Sequence, residues 1–264
     1  MRSGVTGLPG RAAKLLRLLS RPGYRRGLAV GVAAAVEHEA AIRALPVGML
    51  IDVGANVGQF SLLVRTLHPA ARIVAFEPLA EPAARYGRLF ADAPGVDLHR
   101  HALGSAEGNA TIHLSRRLDS SSLLPISPVQ EQTFAGTGEV GVRTVPVRRL
   151  DAVLSPASLT GQVLLKLDVQ GFELEVIRGF SVGLAAVEHV YAEVSFLPLY
   201  EGQPLAPAII ADLHARGFDL AGVYNLSTDR EGRSVQADML FANRRRRSVT
   251  AAPSPAGIGP DAPG

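Results

Sequence analysis

Three short stretches of this chain carry residue types at spacings that chemistry can use. The first is Asp52-Val53-Gly54-Ala55-Asn56-Val57-Gly58-Gln59-Phe60, which completes the apolar run begun at Met49. Gly54 and Gly58 permit a tight strand-to-helix turn and a close approach of ligand to backbone. An open α/β sheet has its crevice at that end of a strand. The dinucleotide fingerprint G-x-G-x-x-G does not fit, because its second and third glycine positions are Asn56 and Gln59 here. Asp52, two residues ahead of the first glycine, repels a pyrophosphate but suits a ligand carrying an ammonium and a sulfonium. The turn therefore favours S-adenosylmethionine over a nicotinamide dinucleotide.

The second stretch is Phe76-Glu77-Pro78. A carboxylate that closes a strand can accept hydrogen bonds from both hydroxyls of a ribose; an acid at a helix start is its plainer role. The third is Lys166-Leu167-Asp168-Val169-Gln170-Gly171-Phe172-Glu173. Lysine stands only at 14 and 166 in a chain that otherwise uses arginine. A lysine at the end of an apolar strand costs burial energy unless it is paired, and two carboxylates and an amide follow at once. Such a cluster at a sheet's carboxyl edge is a functional-site candidate, with a structural Lys–Asp or Lys–Glu pair as its alternative.

These stretches need elements to hold them. Met49–Val53, Ile73–Phe76, Val96–Leu103, Val163–Leu167 and His189–Val194 read as buried strands. Helices follow the glycine turn and cover Pro82–Ala91, Phe172–Arg178 and Ala206–Arg216. Phe218–Tyr224 and Ala237–Ala242 close the chain as an antiparallel pair. The alternation predicts an α/β fold: a mostly parallel, seven-stranded sheet with that C-terminal pair and helices on both faces. Residues 110–114 and 142–147 read as edge or cap strands. Between them Ser120–Gly141 is too long for an idle turn and suits a lid over an acceptor. Ahead of the sheet, Arg11–Ser20 is expected as a helix closed by Arg21-Pro22-Gly23, and Ala29–Leu45 as a second.

The net charge of +3 is unevenly placed. Residues 1–28 carry +7 and no acid, and residues 244–264 carry +3, which leaves −7 for residues 29–243. A nucleic-acid partner is disfavoured for an acidic body. The chain divides into a basic helical extension over 1–48, a domain over 49–243 and an Arg/Pro/Ala-rich disordered tail over 244–264. With no cysteine, disulfide scaffolds, zinc-thiolate sites, iron–sulfur clusters and thiol nucleophiles are excluded. No metal-ligand pattern is present, and His99, His101 and His113, on strand-like segments, read as structural. The longest apolar run, Leu28–Val36, is far short of the about 20 residues of a spanning helix, so a cytoplasmic protein is expected. Residues 11–28, basic and leucine-bearing, suit a weak contact with an anionic membrane surface, a solvated arm being the alternative.

The motifs taken in order resemble the FkbM-type S-adenosylmethionine-dependent methyltransferases over Met49–Asn243. The likeness rests on the 51–61 turn, Phe76-Glu77-Pro78, Ala102-Leu103-Gly104, the Ser120–Pro125 run, the 166–173 block, and Glu193 with Leu199–Gly202. The resemblance implies a Rossmann-like class I fold and methyl transfer, usually to a hydroxyl of a sugar, glycolipid or polyketide-type product. It implies that Asp52, Gly54, Asn56 and Gly58 hold the donor's methionine part, that Glu77 holds its ribose, and that Ala102 and Leu103 flank its adenine. Asp168 is then the first choice for base or acceptor clamp, with Lys166 to hold it ionised, Gln170 to orient the acceptor and Glu173 as an alternative carboxylate. A nicotinamide-dependent oxidoreductase and a non-catalytic binding module are the competing readings.

Overall fold

The computed structural model describes residues 8–246, with side chains from residue 12. Helix α1 (Leu8–Ser20) ends just before α2 (Pro22–Ala29), whose proline sits in the first turn, where its missing N–H leaves nothing unpaired. The helix expected over Ala29–Leu45 is broken. After Gly31, in the left-handed region at φ 74°, the chain runs irregularly to a single 3₁₀ turn (Val36–His38) and α3 (Glu39–Ile42). Tertiary packing overrides the helical pattern: Val32, Ala34, Ala35 and Val36 are all buried, more of the segment than one side of a helix could cover.

Strand β1 (Met49–Val53) leads through the glycine turn into α4 (Gln59–Leu67), then β2 (Arg72–Phe76), α5 (Ala80–Leu89) and β3 (Val96–His99). The strand expected over Val96–Leu103 divides at Arg100-His101, and β4 (Ala102–Leu103) joins a second sheet instead. That sheet contains β5 (Gly108–Ser115) and β6 (Glu139–Arg148), with α6 (Pro128–Thr133) in the stretch between them. The remaining elements are α7 (Leu150–Val153), β7 (Val163–Leu167), α8 (Glu173–Arg178), β8 (His189–Ser195), α9 (Ala206–Ala215), β9 (Phe218–Thr228) and β10 (Ser234–Asn243). The main sheet has the order β3-β2-β1-β7-β8-β10-β9, parallel through β8 and antiparallel in the last two pairings. This is the expected mostly parallel, seven-stranded α/β sheet closed by an antiparallel pair.

The sheet has a core on each face. Met49, Ile51, Val53, Leu165 and Leu167 pack with residues of α7, α8 and α9. Leu50, Leu164 and Tyr191 face the other way and pack with residues of α4 and α5 and with Leu18, Tyr24, Val32, Val36 and Ile42. The expected boundary at residue 49 is therefore not a boundary in the packing. The N-terminal segment completes one of the two cores, and buried Glu39 fixes it by pairing with Arg21 and Arg43. At the other end, Arg244 and Arg246 pair with Asp219 and Glu188; the rest of the expected tail lies outside the described residues.

Tyr24 is fully buried, and truncating a large buried side chain leaves a cavity. Tyr24→Ala is expected to lower the unfolding free energy by about 3–5 kcal/mol in one shifted transition, followed by circular dichroism in urea. A separate early transition would mean that the N-terminal segment folds apart from the sheet.

Candidate active site

Strand register places the polar residues. Asp52 on β1 lies opposite Lys166 on β7, which lies opposite Tyr191 on β8, so the three share one face. Two residues further on, that same side carries Gly54, Asp168 and Glu193, and Glu193 faces Asp238 of β10. The Lys166 ammonium is buried. It donates to the Gly54 carbonyl at 3.0 Å and lies 3.3 Å from both Asp52 Oδ1 and Asp168 Oδ2, 5.7 Å from the centre of the Phe60 ring. Burial opposes its charge, but the two carboxylates outweigh burial and raise its pKa. Asp52 is fully buried and also accepts from Ser61 Oγ at 2.6 Å.

Gly54 sits at φ 75°, and a Cβ there would lie 1.8 Å from the Asp168 carbonyl oxygen. The glycine is demanded by this contact of two chain segments as well as by room for a ligand. Asn56, also left-handed, donates its backbone N–H to Glu77 Oε2 at 2.9 Å, and Leu79 donates to Oε1 at 2.8 Å. Each carboxylate oxygen keeps a lone pair for a further donor. Burial raises the Glu77 carboxyl to about 7, against those two N–H groups and Lys166. Behind it His99 stacks on Phe76, and the His101 ring lies tilted against the same phenyl.

A cleft of about 330 Å³ brings together Gly54, Asn56, Glu77, Ala102, Leu103, Lys166, Asp168 and Gln170. Three sequence-expected residues are not on its wall. Asp52 faces the core and reaches the cleft only through Lys166. Gly58 caps α4 against Tyr86, Leu89 and Phe90. Glu173 turns back on its own loop, where its Oε1 accepts from Val169 and Gly171 N–H groups at 3.3 and 3.1 Å. Burial raises its carboxyl to about 7.

Gln170 is the wall residue expected to orient the acceptor, whereas Glu193 and His38, also on the wall, carry no chemical role assigned from the sequence. Gln170, at φ 54°, donates through Nε2 to Asp168 Oδ1 at 2.7 Å and to Glu193 Oε2 at 2.9 Å. Burial, then Asp168, Asp238 and Glu173, push the Glu193 carboxyl well up. The Tyr200 hydroxyl lies 2.7 Å from Gln170 Oε1 and 3.0 Å from the Ser120 carbonyl, and Ser122 Oγ donates to the Gln170 carbonyl at 2.7 Å. The expected lid stretch is thus pinned over the cleft by its serines. His38 comes from the N-terminal segment. Its Nδ1 lies 3.2 Å from Asp238 Oδ2 and 3.0 Å from the Tyr191 hydroxyl, while its Nε2 makes no hydrogen bond among the described residues. Glu193 could have been found by strand parity, being two residues past Tyr191 on the face of Lys166; nothing in the sequence singles out His38.

Residues 52–220 match the Methyltransferase FkbM domain, well over half of the chain. The chain belongs to the FkbM methyltransferase family. This FkbM methyltransferase is 30% identical over 209 residues to the 2-O-methyltransferase NoeI of Sinorhizobium fredii, an alignment covering 76% of this chain and 81% of that protein. It is 29% identical to the methyltransferase sdnD of Sordaria araneosa, over 65% of this chain and 73% of that one. It is 26% identical to the hexuronic acid methyltransferase AglP of Haloferax volcanii, over 55% of each. The oxidoreductase and binding-module readings fall with this membership. The methyl donor is S-adenosylmethionine, and the cleft fits it: Glu77 offers two free lone pairs beside a turn with left-handed backbone at residues 54, 56 and 58.

Glu173 gives a stability prediction with a definite sign. Its folded carboxyl titrates near 7, above the ordinary 4.5, so the folded chain keeps a proton that the unfolded chain releases. That contribution is complete at acid pH and is lost as pH rises through 7. Glu173→Gln keeps the acceptor oxygen without the charge. Its stability in urea is expected to match the wild type at pH near 4, below the unfolded value, and to exceed it near pH 8 by up to about 3 kcal/mol.

Proposed function

We propose that this methyltransferase acts on a hydroxyl oxygen of a sugar, a glycolipid or a polyketide-type natural product. The names of the relatives, a 2-O-methyltransferase and a hexuronic acid methyltransferase, support oxygen as the acceptor. The observation that carries the reading is Asp168, whose side chain is 36% exposed at the cleft while Lys166 and Gln170 hold its two oxygens. The reaction belongs in the cytoplasm, where the donor is made.

When bound, S-adenosylmethionine supplies a methyl group already activated on a sulfonium; what remains for the chain is alignment and one proton. Gly54 and Asn56 hold the methionine part at the turn, and Asp52 and Gly58 shape that turn from behind it. Glu77 accepts the ribose hydroxyls, and Ala102 and Leu103 flank the adenine. Asp168 would accept the hydrogen bond of the acceptor hydroxyl, orient it in the cleft and take up its proton at the carboxylate. Lys166 and Gln170 position that carboxylate, and Glu193, through Gln170, completes the acceptor wall.

One observation favours a second base. Asp238 holds the imidazole of His38 through Nδ1, and the free Nε2 belongs to a residue of the cleft wall. An imidazole so held can take the proton while Asp168 only clamps.

Asp168→Asn is expected to lower kcat about a hundredfold or more, measured as labelled methyl transfer into a metabolite extract, with little change in S-adenosylhomocysteine affinity by calorimetry. A kcat near the wild-type value overturns its role. His38→Gln separates the two bases: a comparable loss of kcat, with the S-adenosylhomocysteine affinity kept, gives the proton to His38. A change of less than about tenfold leaves it with Asp168.

A further inference from the structure

Helix α1 is amphipathic in an unusual sense, because it has an apolar side on each face. Leu18 is buried against the core. Leu15, Leu16 and Leu19 point away from it and are 52%, 69% and 46% exposed. Solvent-facing leucines one helical turn apart form a continuous apolar strip rather than the scattered exposure normal for a surface. The charge around the strip has one sign. Arg17, Arg25 and Arg26 are exposed, no acid lies within residues 1–28, and Arg17 and Arg26 have no carboxylate partner among the described residues. Leucines flanked by unpaired arginines match the interfacial region of a bilayer with anionic headgroups, where the apolar strip enters the acyl boundary and the guanidinium groups meet phosphate.

The strip is also tied to the active site. Lys14, one helix position before Leu15, pairs with Glu37 at 2.9 Å, and Glu37 with Ala35 and His38 forms part of the cleft wall. The inner side of α1 is therefore joined to one wall of the cleft. We propose that the outer face of α1, with Arg17, Arg25 and Arg26, docks on an anionic membrane surface, and that the acceptor hydroxyl is carried there by a lipid-anchored molecule. The second half of this proposal rests on the methyl-transfer reading; the first does not.

The test uses the full chain and sedimentation with vesicles of phosphatidylcholine alone or with about a third phosphatidylglycerol. The wild type is expected to bind the anionic vesicles at least about tenfold more tightly, less so at high salt. The triple variant Leu15→Ser, Leu16→Ser, Leu19→Ser is expected to lose about tenfold in that binding while keeping its circular dichroism and its S-adenosylhomocysteine affinity. The pair Arg17→Glu, Arg26→Glu, which leaves the leucines in place, is expected to lose it as well. Absence of wild-type binding overturns the docking, as does equal binding by both variants. So does light scattering that shows a dimer dispersed by the leucine changes, since the strip would then cover a second copy. Labelled donor with a cell extract tests the acceptor: label in the chloroform-soluble fraction supports a lipid-borne acceptor, and label only in the aqueous fraction overturns it. Label in neither fraction counts against the methyl-transfer reading and leaves the vesicle result standing.

Discussion

One buried ammonium organises this molecule. Lys166 sits where β1 and β7 run side by side, and it reaches the Gly54 carbonyl and the carboxylates of Asp52 and Asp168 at once. A charge in that position is tolerated only because two opposite charges and a carbonyl dipole surround it; with one partner removed, what remains is uncompensated. The same contacts fix three things together. They lock the ends of two parallel strands, shape the glycine turn through its carbonyl, and set the direction of the Asp168 carboxylate. The glycine turn and the loop that carries Asp168 are therefore not independently adjustable.

Carboxylates divide around this centre by environment. Asp168 is partly open to the cleft. Glu77, Glu173 and Glu193 are pushed upward, chiefly by burial, and each has a different set of hydrogen-bond donors. Glu77 takes backbone N–H groups from the two segments that frame the cleft. Glu173 uses the N–H groups of its own loop and so stiffens the turn that aims Asp168 and Gln170. Glu193 shares the Gln170 amide with Asp168, which couples the two acids across the cleft wall. Similar residue types thus join two segments, stiffen a loop and link two acids through an amide.

Much of this was legible in the sequence because short-range patterns decide it. Apolar runs ending in glycine or an acid marked the parallel strands, and the isolated lysine marked the centre of the site. The failures have physical causes. Ala29–Leu45 has a helical composition, but the sheet beneath requires Val32, Ala34 and Val36 to be buried together, and tertiary packing prevailed. Val96–Leu103 reads as one strand, although its last two residues pair with β6 in another sheet. Glu173 and Asp52 looked equivalent to the cleft residues in spacing; only register and loop geometry show that one turns to its own backbone and the other into the core. His38 lies far outside the motif-bearing region and enters the wall through long-range folding alone.

The Tyr200 hydroxyl touches Gln170 and the Ser120 carbonyl, and Ser122 reaches the Gln170 carbonyl from the same stretch. Further along, the Pro125 carbonyl accepts from the Glu201 N–H at 2.9 Å, Ser127 donates to the Leu199 and Pro198 carbonyls at 3.1 and 2.9 Å, and Gln130 Nε2 lies 3.3 Å from the Tyr200 hydroxyl. The roof of the cleft is thus stitched along its length to the strap that follows β8. A change in the shape of one has to carry the other with it.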